Sequence, residues 1–147
     1  MLKEALLEYF ERDLNKLKDE INLYPNEEDL WKTAGGISNS AGNLCLHLIG
    51  NMKHFIGAIL GESGFVRERD KEFSSKNVNR QELIKEIDNT IEVVKNSLNK
   101  LSNEDFEKAF PVEKHGKIVG TDFMLLHLLT HFNYHLGQIN YHRRLVT

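Results

Sequence analysis

The chain has 147 residues, of which 40% are hydrophobic and 28% are charged, and its formal net charge is -3. A chain of this length can bury one core, so we expect residues 1–147 to form a single domain. No apolar run approaches the ~20 residues that a membrane-spanning helix requires. The slightly acidic balance creates no field that would hold a polyanion. We therefore expect a small-molecule partner, with no nucleic acid and no membrane.

The cysteine content and the first residues both bear on the compartment. Cys45 is the only cysteine, so the chain cannot form an internal disulfide. The opening stretch MLKEALLEYFERDL carries charges where a signal peptide would have to be apolar. Both features predict a cytoplasmic protein.

Two amphipathic helices are predicted in the first half of the chain, over Leu2–Tyr24 and Ile37–Ile59. In both, apolar side chains recur every three or four residues, which is typical of a helix buried on one side. The second helix contains Gly42, Gly50 and Gly57. Since each glycine costs about 1 kcal/mol relative to Ala inside a helix, we expect another backbone to pack closely against this one.

A long charged segment separates these helices from the third. Residues Glu62–Val78 carry eight charged side chains and no sustained period, which predicts a loop longer than the ~12–15 residues usual in compact domains. The third helix is predicted to begin after Asn79, which caps it together with Glu82 in a capping-box variant, and to end at Leu101. Its apolar side chains form a narrow seam.

The last third of the chain contains a short turn, a possible hairpin and a final helix. Ser102–Asp105 can cap one short turn, and Val112–Val119, broken at a His-Gly pair, is predicted to form a small hairpin. Thr121 or Asp122 is the predicted cap of the final helix, which ends in a basic pair that includes Arg144. Four long helices predict an all-α fold, a four-helix bundle whose core can hold a metal or ligand site.

The histidines are the candidate metal ligands. His127, His131 and His135 lie four residues apart, and each step turns only about 40° around the helix, so they share one stripe. An i, i+4 pair can place two ring nitrogens on one ion. Spacing alone leaves two pairs open, His127 with His131 and His131 with His135. His47, in the most apolar helix, is the best candidate for a third ligand because a buried ring needs a partner.

The remaining histidines are interpreted as structural or surface residues. His54 and His142 share the stripes of His47 and His135 but lie two turns away, so we expect them at the rim of the site. His115, next to a glycine in a charged turn, is expected at the surface. Hydrogen-bonded core or rim residues remain the alternative interpretation for the candidate ligands as well.

Two segments carry a resemblance to a known family. The last-helix segment HLLTHFNYHLGQI resembles the C-terminal helix motif of the DinB-like superfamily, in which an H-x-x-x-H pair runs into a G-Q-I signature. The segment NLCLHLIGN around His47 is similar to the second-helix segment that supplies that superfamily's first histidine. Helix lengths and order suit its four-helix bundle along nearly the whole chain. The resemblance implies a divalent-metal site on His47, His131 and His135, with His127 as a neighbour.

The resemblance also implies a range of chemistry. Relatives of this type include S-transferases that use bacillithiol and an isomerase that uses mycothiol, so it implies an ion that activates a low-molecular-weight thiol. The R-x-R-D-x-x-F stretch and the closing N-Y-H-R-R resemble an uncharacterised branch rather than the named enzymes.

Neighbouring polar residues are candidates for holding the ligands or lining a substrate pocket. Asn43 and Asn51 flank His47 by one helical turn, and Gln138 follows His135 by three residues, so each can reach a ligating ring. Polarity of the helix surface is the alternative interpretation. Arg67 and Arg69 would bring positive charge to an anionic substrate if the long loop folded over the site, whereas a solvated loop would keep them in water. Cys45 points away from the His47 face.

Three functional hypotheses follow. The first is a metal-dependent hydrolase or thiol transferase with one divalent ion, most simply Zn²⁺ or Ni²⁺, with Fe²⁺ or Mn²⁺ also suited to imidazole ligands. The second is a non-catalytic module that binds a metal or a small molecule. The third is a metal-free interaction protein in which the apolar seam of the third helix packs against a second copy. We expect a homodimer formed through helix faces.

Overall fold

The computed structural model describes residues 1–147 and contains helices but no strand. Its five α-helices are α1 (Leu2–Leu23), α2 (Ala41–Met52), α3 (Arg69–Ser74), α4 (Arg80–Asn99) and α5 (Thr121–Val146). A π-helical segment, Lys53–Leu60, continues α2, and two 3-10 turns lie at Glu27–Trp31 and Glu104–Glu107. The prediction of an all-α fold is confirmed. No helix combines the length and the apolarity needed to cross a membrane.

The four long helices enclose one continuous hydrophobic core of 27 buried residues. Helix α1 packs against α4 and α5, and α2 packs against α5, α4 and the short α3. The apolar stripe predicted for α1 is buried and confirmed, namely Leu6, Phe10, Leu14, Leu17 and Ile21. This packing places α2 beside α5, so that side chains from both helices can meet.

The apolar seam of α4 also lies inside the chain. Asn79 caps this helix as predicted, because its side chain accepts a hydrogen bond of 2.8 Å from the backbone N–H of Gln81. The predicted capping box with Glu82 is not formed, since the bond goes to Gln81 instead. Ile87, Ile91 and Val94 of the seam are buried, and α1 packs against this helix. The seam is therefore covered within one chain rather than open to a second copy.

The second helix differs from its prediction at both ends. It begins at Ala41, where the Ser40 hydroxyl accepts a hydrogen bond from the backbone N–H of Asn43, so Ile37 lies in the preceding connector. At Lys53 the helix widens into π-helical geometry, which adds one residue to each hydrogen-bonded turn. An apolar repeat every three or four residues reports which side of a helix is buried and does not distinguish the two geometries.

The glycines of the second helix are sites of close packing, but the prediction that another backbone packs there is wrong. A Cβ atom at Gly42 would lie 2.7 Å from the Trp31 ring, and one at Gly50 would overlap the carboxylate of Glu72. The close neighbours are side chains and not another backbone. Gly50 therefore leaves the space that the Glu72 carboxylate occupies.

The segment predicted as one long loop, Glu62–Val78, contains α3 and folds back onto α2. Glu72 of α3 is buried with 7% of its surface exposed. The side-chain amide of Asn43 donates to the backbone carbonyls of Glu72 at 3.0 Å and Ser75 at 2.8 Å. The solvated loop expected from the charge content is thus wrong for this part of the segment, because buried hydrogen bonds anchor it.

The predicted hairpin is reduced to a tight turn. His115 and Gly116 have positive φ values of 50° and 76°, as both central residues of a type I′ turn require. Lys114 and Lys117 exchange two backbone hydrogen bonds around it, of 2.7 and 3.0 Å, but the flanking residues form only isolated bridges.

The predicted cap of the last helix, Thr121 or Asp122, is wrong by one or two residues. Gly120 is the N-cap, because the backbone N–H of Thr121 bonds the carbonyl of Lys108 at 2.8 Å and the chain enters the helix immediately.

Candidate metal centre

Helices α2 and α5 bring three histidines to one point. His47 Nε2 lies 3.3 Å from His131 Nε2, and His135 Nε2 lies 3.2 Å from the same atom. The ligand atoms of all three lie within 4.8 Å of one another, and no Cys, Asp or Glu belongs to the group. These three residues could hold a metal ion.

Two of the three nitrogen spacings suit a tetrahedral ion. Bonds of about 2.0–2.1 Å from imidazole nitrogen to Zn²⁺ place neighbouring ligand nitrogens about 3.3 Å apart. The two closest nitrogen pairs, at 3.2 and 3.3 Å, match that edge length. With only three protein ligands, one position of such an ion would remain open, as in catalytic zinc sites.

Two of the rings are held by oxygen atoms on their far side. Glu72 Oε1 lies 3.0 Å from His47 Nδ1, and Gln138 Oε1 lies 2.7 Å from His135 Nδ1. Because both oxygens accept, each Nδ1 carries the proton and each Nε2 directs a lone pair to the common point. A single N–H on His131 Nε2 could satisfy only one of these lone pairs with good geometry, whereas a cation would satisfy both.

The His131 and His135 rings are neutral near pH 7 and thus ready to bind an ion. Burial, together with the neighbouring histidines, lowers the pKa of His131 to about 4. Burial also lowers the pKa of His135, although the hydrogen bond with Gln138 acts in the opposite direction. The buried Nδ1 of His131 has no hydrogen-bond partner.

The metal-free protein should therefore lose stability in acid. The pKa of His131 is about 4 when folded, against an ordinary value of 6.5, so between these values the unfolded chain binds more protons. The contribution of neutral His131 to the free energy of unfolding is fully present above about pH 6.5. It falls as the pH is lowered and is fully lost below about pH 4. Urea unfolding of chelator-treated protein across this range should show the loss. A His131→Asn variant should show a shallower decline, and an equal decline would contradict the assignment.

Glu72 is the functional residue that sequence reasoning missed. Its Oε1 accepts from His47 Nδ1 and, at 2.9 Å, from Arg67 Nη2, while its Oε2 accepts from Arg67 Nε at 2.8 Å. Burial raises the pKa of Glu72, but the hydrogen bonds from His47 and Arg67 outweigh it, so the pKa lies below its ordinary value. Glu72 therefore stays ionised and holds the His47 ring. One signal could have indicated it, namely Gly50 on the His47 helix, which leaves room for a close neighbour.

The predicted arginines have different surroundings. Arg67, a candidate either for a substrate contact or for a solvated loop, has only 11% of its side chain exposed and pairs with Glu72. Arg69 is exposed and stacks on the Phe73 ring at 5.2 Å. The Phe73 ring itself lies 4.9 Å from the His47 ring and covers that side of the centre.

Among protein families, the one described as "Protein of unknown function (DUF1572)" matches residues 3–147. The chain belongs to this family. The match includes α2, α3 and α5, so all residues of the centre of this DUF1572 protein lie within it. A comparison with curated proteins finds no match.

The other candidates near the centre of this DUF1572 chain have distinct roles. Gln138 Oε1 lies 2.7 Å from His135 Nδ1 and holds that ring. Asn43 makes no hydrogen bond with His47 and instead anchors α3. Asn51 is buried, and its amide oxygen has no hydrogen-bond partner. The His127 ring lies 6.3 Å from the His131 ring and outside the three-histidine group.

Asn43 should matter for the stability of α3 against α2. It also accepts hydrogen bonds of 2.8 Å from Ser40 Oγ and Lys76 Nζ, so an Asn43→Ala change removes four hydrogen bonds around one buried side chain. Leaving buried partners unsatisfied costs about 1–3 kcal/mol, and we expect the free energy of unfolding to fall by about 2–3 kcal/mol. Urea unfolding of the parent and the variant measures this change in the free energy of unfolding. The exposed Asn99, changed to Ala, is the control, and equal stability of the two variants would contradict the prediction.

Three other histidines and Cys45 do not belong to the three-histidine group. His115 is exposed and His54 is partly buried, and neither belongs to the three-histidine group. The rim position predicted for His142 is wrong, because its ring is buried and bonds Tyr24 Oη and the Lys32 carbonyl, both at 2.7 Å. Burial raises the pKa of the Cys45 thiol, which therefore remains protonated and unreactive.

Proposed function

We propose that this protein is a divalent-metal-dependent enzyme, either a hydrolase or a low-molecular-weight-thiol transferase. We also propose that its long helices form the four-helix bundle of the DinB-like type. The observation that carries the proposal is the convergence of the Nε2 atoms of His47, His131 and His135 without a fourth protein ligand. The sequence resemblance to the DinB-like superfamily supports the same conclusion.

The residues around the centre supply binding and orientation. Glu72 and Gln138 fix the Nδ1-protonated forms of His47 and His135, and Phe73 shields one side of the His47 ring from water. A divalent ion bound there, with Zn²⁺ or Ni²⁺ preferred over Fe²⁺ or Mn²⁺, would make a thiol or a water molecule nucleophilic near neutral pH. Three neutral imidazoles leave the net charge of that ion uncompensated, which favours an anionic fourth ligand such as a thiolate or hydroxide.

The two alternatives have less support. A non-catalytic binding module would most simply fill the fourth position with a side chain, and the group contains none. A metal-free interaction protein would need the α4 seam at its surface, and that seam is buried by the chain itself.

The test begins with protein loaded with Zn²⁺ or Ni²⁺. Hydrolysis is assayed with p-nitrophenyl acetate, and thiol transfer with bacillithiol or mycothiol and 1-chloro-2,4-dinitrobenzene. We expect metal-dependent turnover in one of these assays, its loss in His131→Ala, and its retention in the matched His127→Ala variant. Stoichiometric metal without turnover in either assay would favour the non-catalytic module.

We further propose a cytoplasmic homodimer. Large apolar side chains remain exposed along α5, including Phe123, Leu126 and Tyr134, and a second copy would cover them. Sedimentation equilibrium should give twice the 17.0 kDa of the chain. A mass equal to one chain would contradict the dimer.

A further inference from the structure

A groove of about 390 Å³ lies directly beside the three-histidine centre. One wall is the connector before α2, which contributes Ile37 and Ser38, and the other is the C-terminal half of α5. His135 and Gln138 line the same groove, whereas His47 and His131 do not, so the groove borders the three-histidine group at His135.

The lining of this groove is uncharged. Its apolar side chains are Ile37, Leu44, Tyr141 and Leu145, and it contains no Lys, Arg, Asp or Glu. His142 also lines it, but both nitrogens of that ring are already bonded, to Tyr24 and to the Lys32 carbonyl. The groove therefore offers apolar surface and no counter-charge.

We propose that the groove binds an uncharged, mainly apolar arm of the substrate, whose polar end meets the three-histidine centre. This inference rests on the proposed function for the polar end only. A carboxylate or phosphate in the groove would lose hydration without gaining an ionic partner, which is unfavourable. An apolar arm would gain from burial in a cleft whose volume is typical of small-molecule sites. The geometry thus points to an alkyl or aryl substrate rather than to a polyanionic one.

The experiment titrates a series of acyl hydroxamates, from acetohydroxamate to octanohydroxamate, into metal-free and Zn²⁺-loaded protein. Binding is followed by NMR shifts of the methyl groups of Ile37, Leu44 and Leu145. We expect affinity to rise by about fourfold for each buried methylene in both forms, with those methyl signals shifting. The loaded form should bind the whole series more tightly, because the hydroxamate head group chelates the ion. Suberic acid monohydroxamate, which ends in a carboxylate, should bind more weakly than octanohydroxamate.

Two variants separate the groove from the centre. Ile37→Asp, on the connector outside the helices, should remove the dependence on chain length while the metal content and the affinity for acetohydroxamate stay unchanged. Ile118→Asp changes an exposed isoleucine that does not line the groove. It should leave the metal content, the affinities and their dependence on chain length unchanged.

The outcomes are distinguishable. Failure to take up metal would overturn the proposed function. The methyl shifts in the metal-free protein would still show whether the groove binds the apolar chain. Affinity independent of chain length, or shifts confined to other methyl groups, would overturn the groove assignment alone. Affinity that falls as protein concentration rises would also overturn it, because a second copy would then occupy the groove.

Discussion

A His131→Ala protein is expected to hold little divalent metal, whereas the parent chain loaded with Zn²⁺ should hold about one ion. His131 Nε2 is the central nitrogen of the group, at 3.3 Å from His47 Nε2 and 3.2 Å from His135 Nε2. Its removal leaves only two ligands, His47 on α2 and His135 on α5. The loss of affinity should exceed the ~10–100-fold that follows removal of an outer hydrogen-bond partner. Elemental analysis of tag-free protein, expressed as metal per chain, measures the effect.

His127→Ala is the matched control for this experiment. It removes the same side chain from the same helix, one turn earlier, at a position outside the three-histidine group. It should retain the metal content of the parent. If His131→Ala held as much metal as His127→Ala, the assignment of the centre to His131 would be wrong.

The parts of the site that the sequence predicts are those governed by regular helix geometry. A spacing of four residues places His131 and His135 on one stripe of α5 whatever surrounds that helix. The resemblance to the DinB-like superfamily, and not the spacing, favours that pair over His127 with His131. The structure places the His131 and His135 rings 4.5 Å apart and the His127 ring 6.3 Å from His131.

The parts that the sequence does not predict depend on tertiary contacts. Helix α3 has six residues in a charged segment, too few for a hydrophobic period, and it is held by the amide of Asn43 and the burial of Glu72. His142 shares a stripe with His135, but only the fold brings Tyr24 and the Lys32 carbonyl to its ring. Helical periodicity identifies the buried face, and the residues that meet that face come from distant positions.

A Glu72→Gln protein is expected to bind Zn²⁺ about 10–100-fold more weakly than the parent. The amide oxygen of Gln can still accept from His47 Nδ1, but the substitution removes the negative charge that makes the His47 imidazole more basic. It also leaves the buried Arg67 guanidinium without its counter-charge, since Glu72 accepts from both Arg67 Nε and Nη2. Competition with a chelator of known affinity gives the Zn²⁺ dissociation constant of each variant.

The control for this substitution is Glu68→Gln in the same segment. Glu68 is exposed and pairs only with Lys71 at the surface, so its neutralisation should leave Zn²⁺ affinity within about twofold of the parent, as expected for a surface ion pair. A purely structural role of Glu72 would lower stability alone. Positioning of His47 should in addition move the ¹⁵N shifts of that ring, because they report which nitrogen carries the proton. Unchanged His47 shifts together with parental Zn²⁺ affinity would show that Glu72 does not act on the centre, even though its carboxylate lies 3.0 Å from His47 Nδ1.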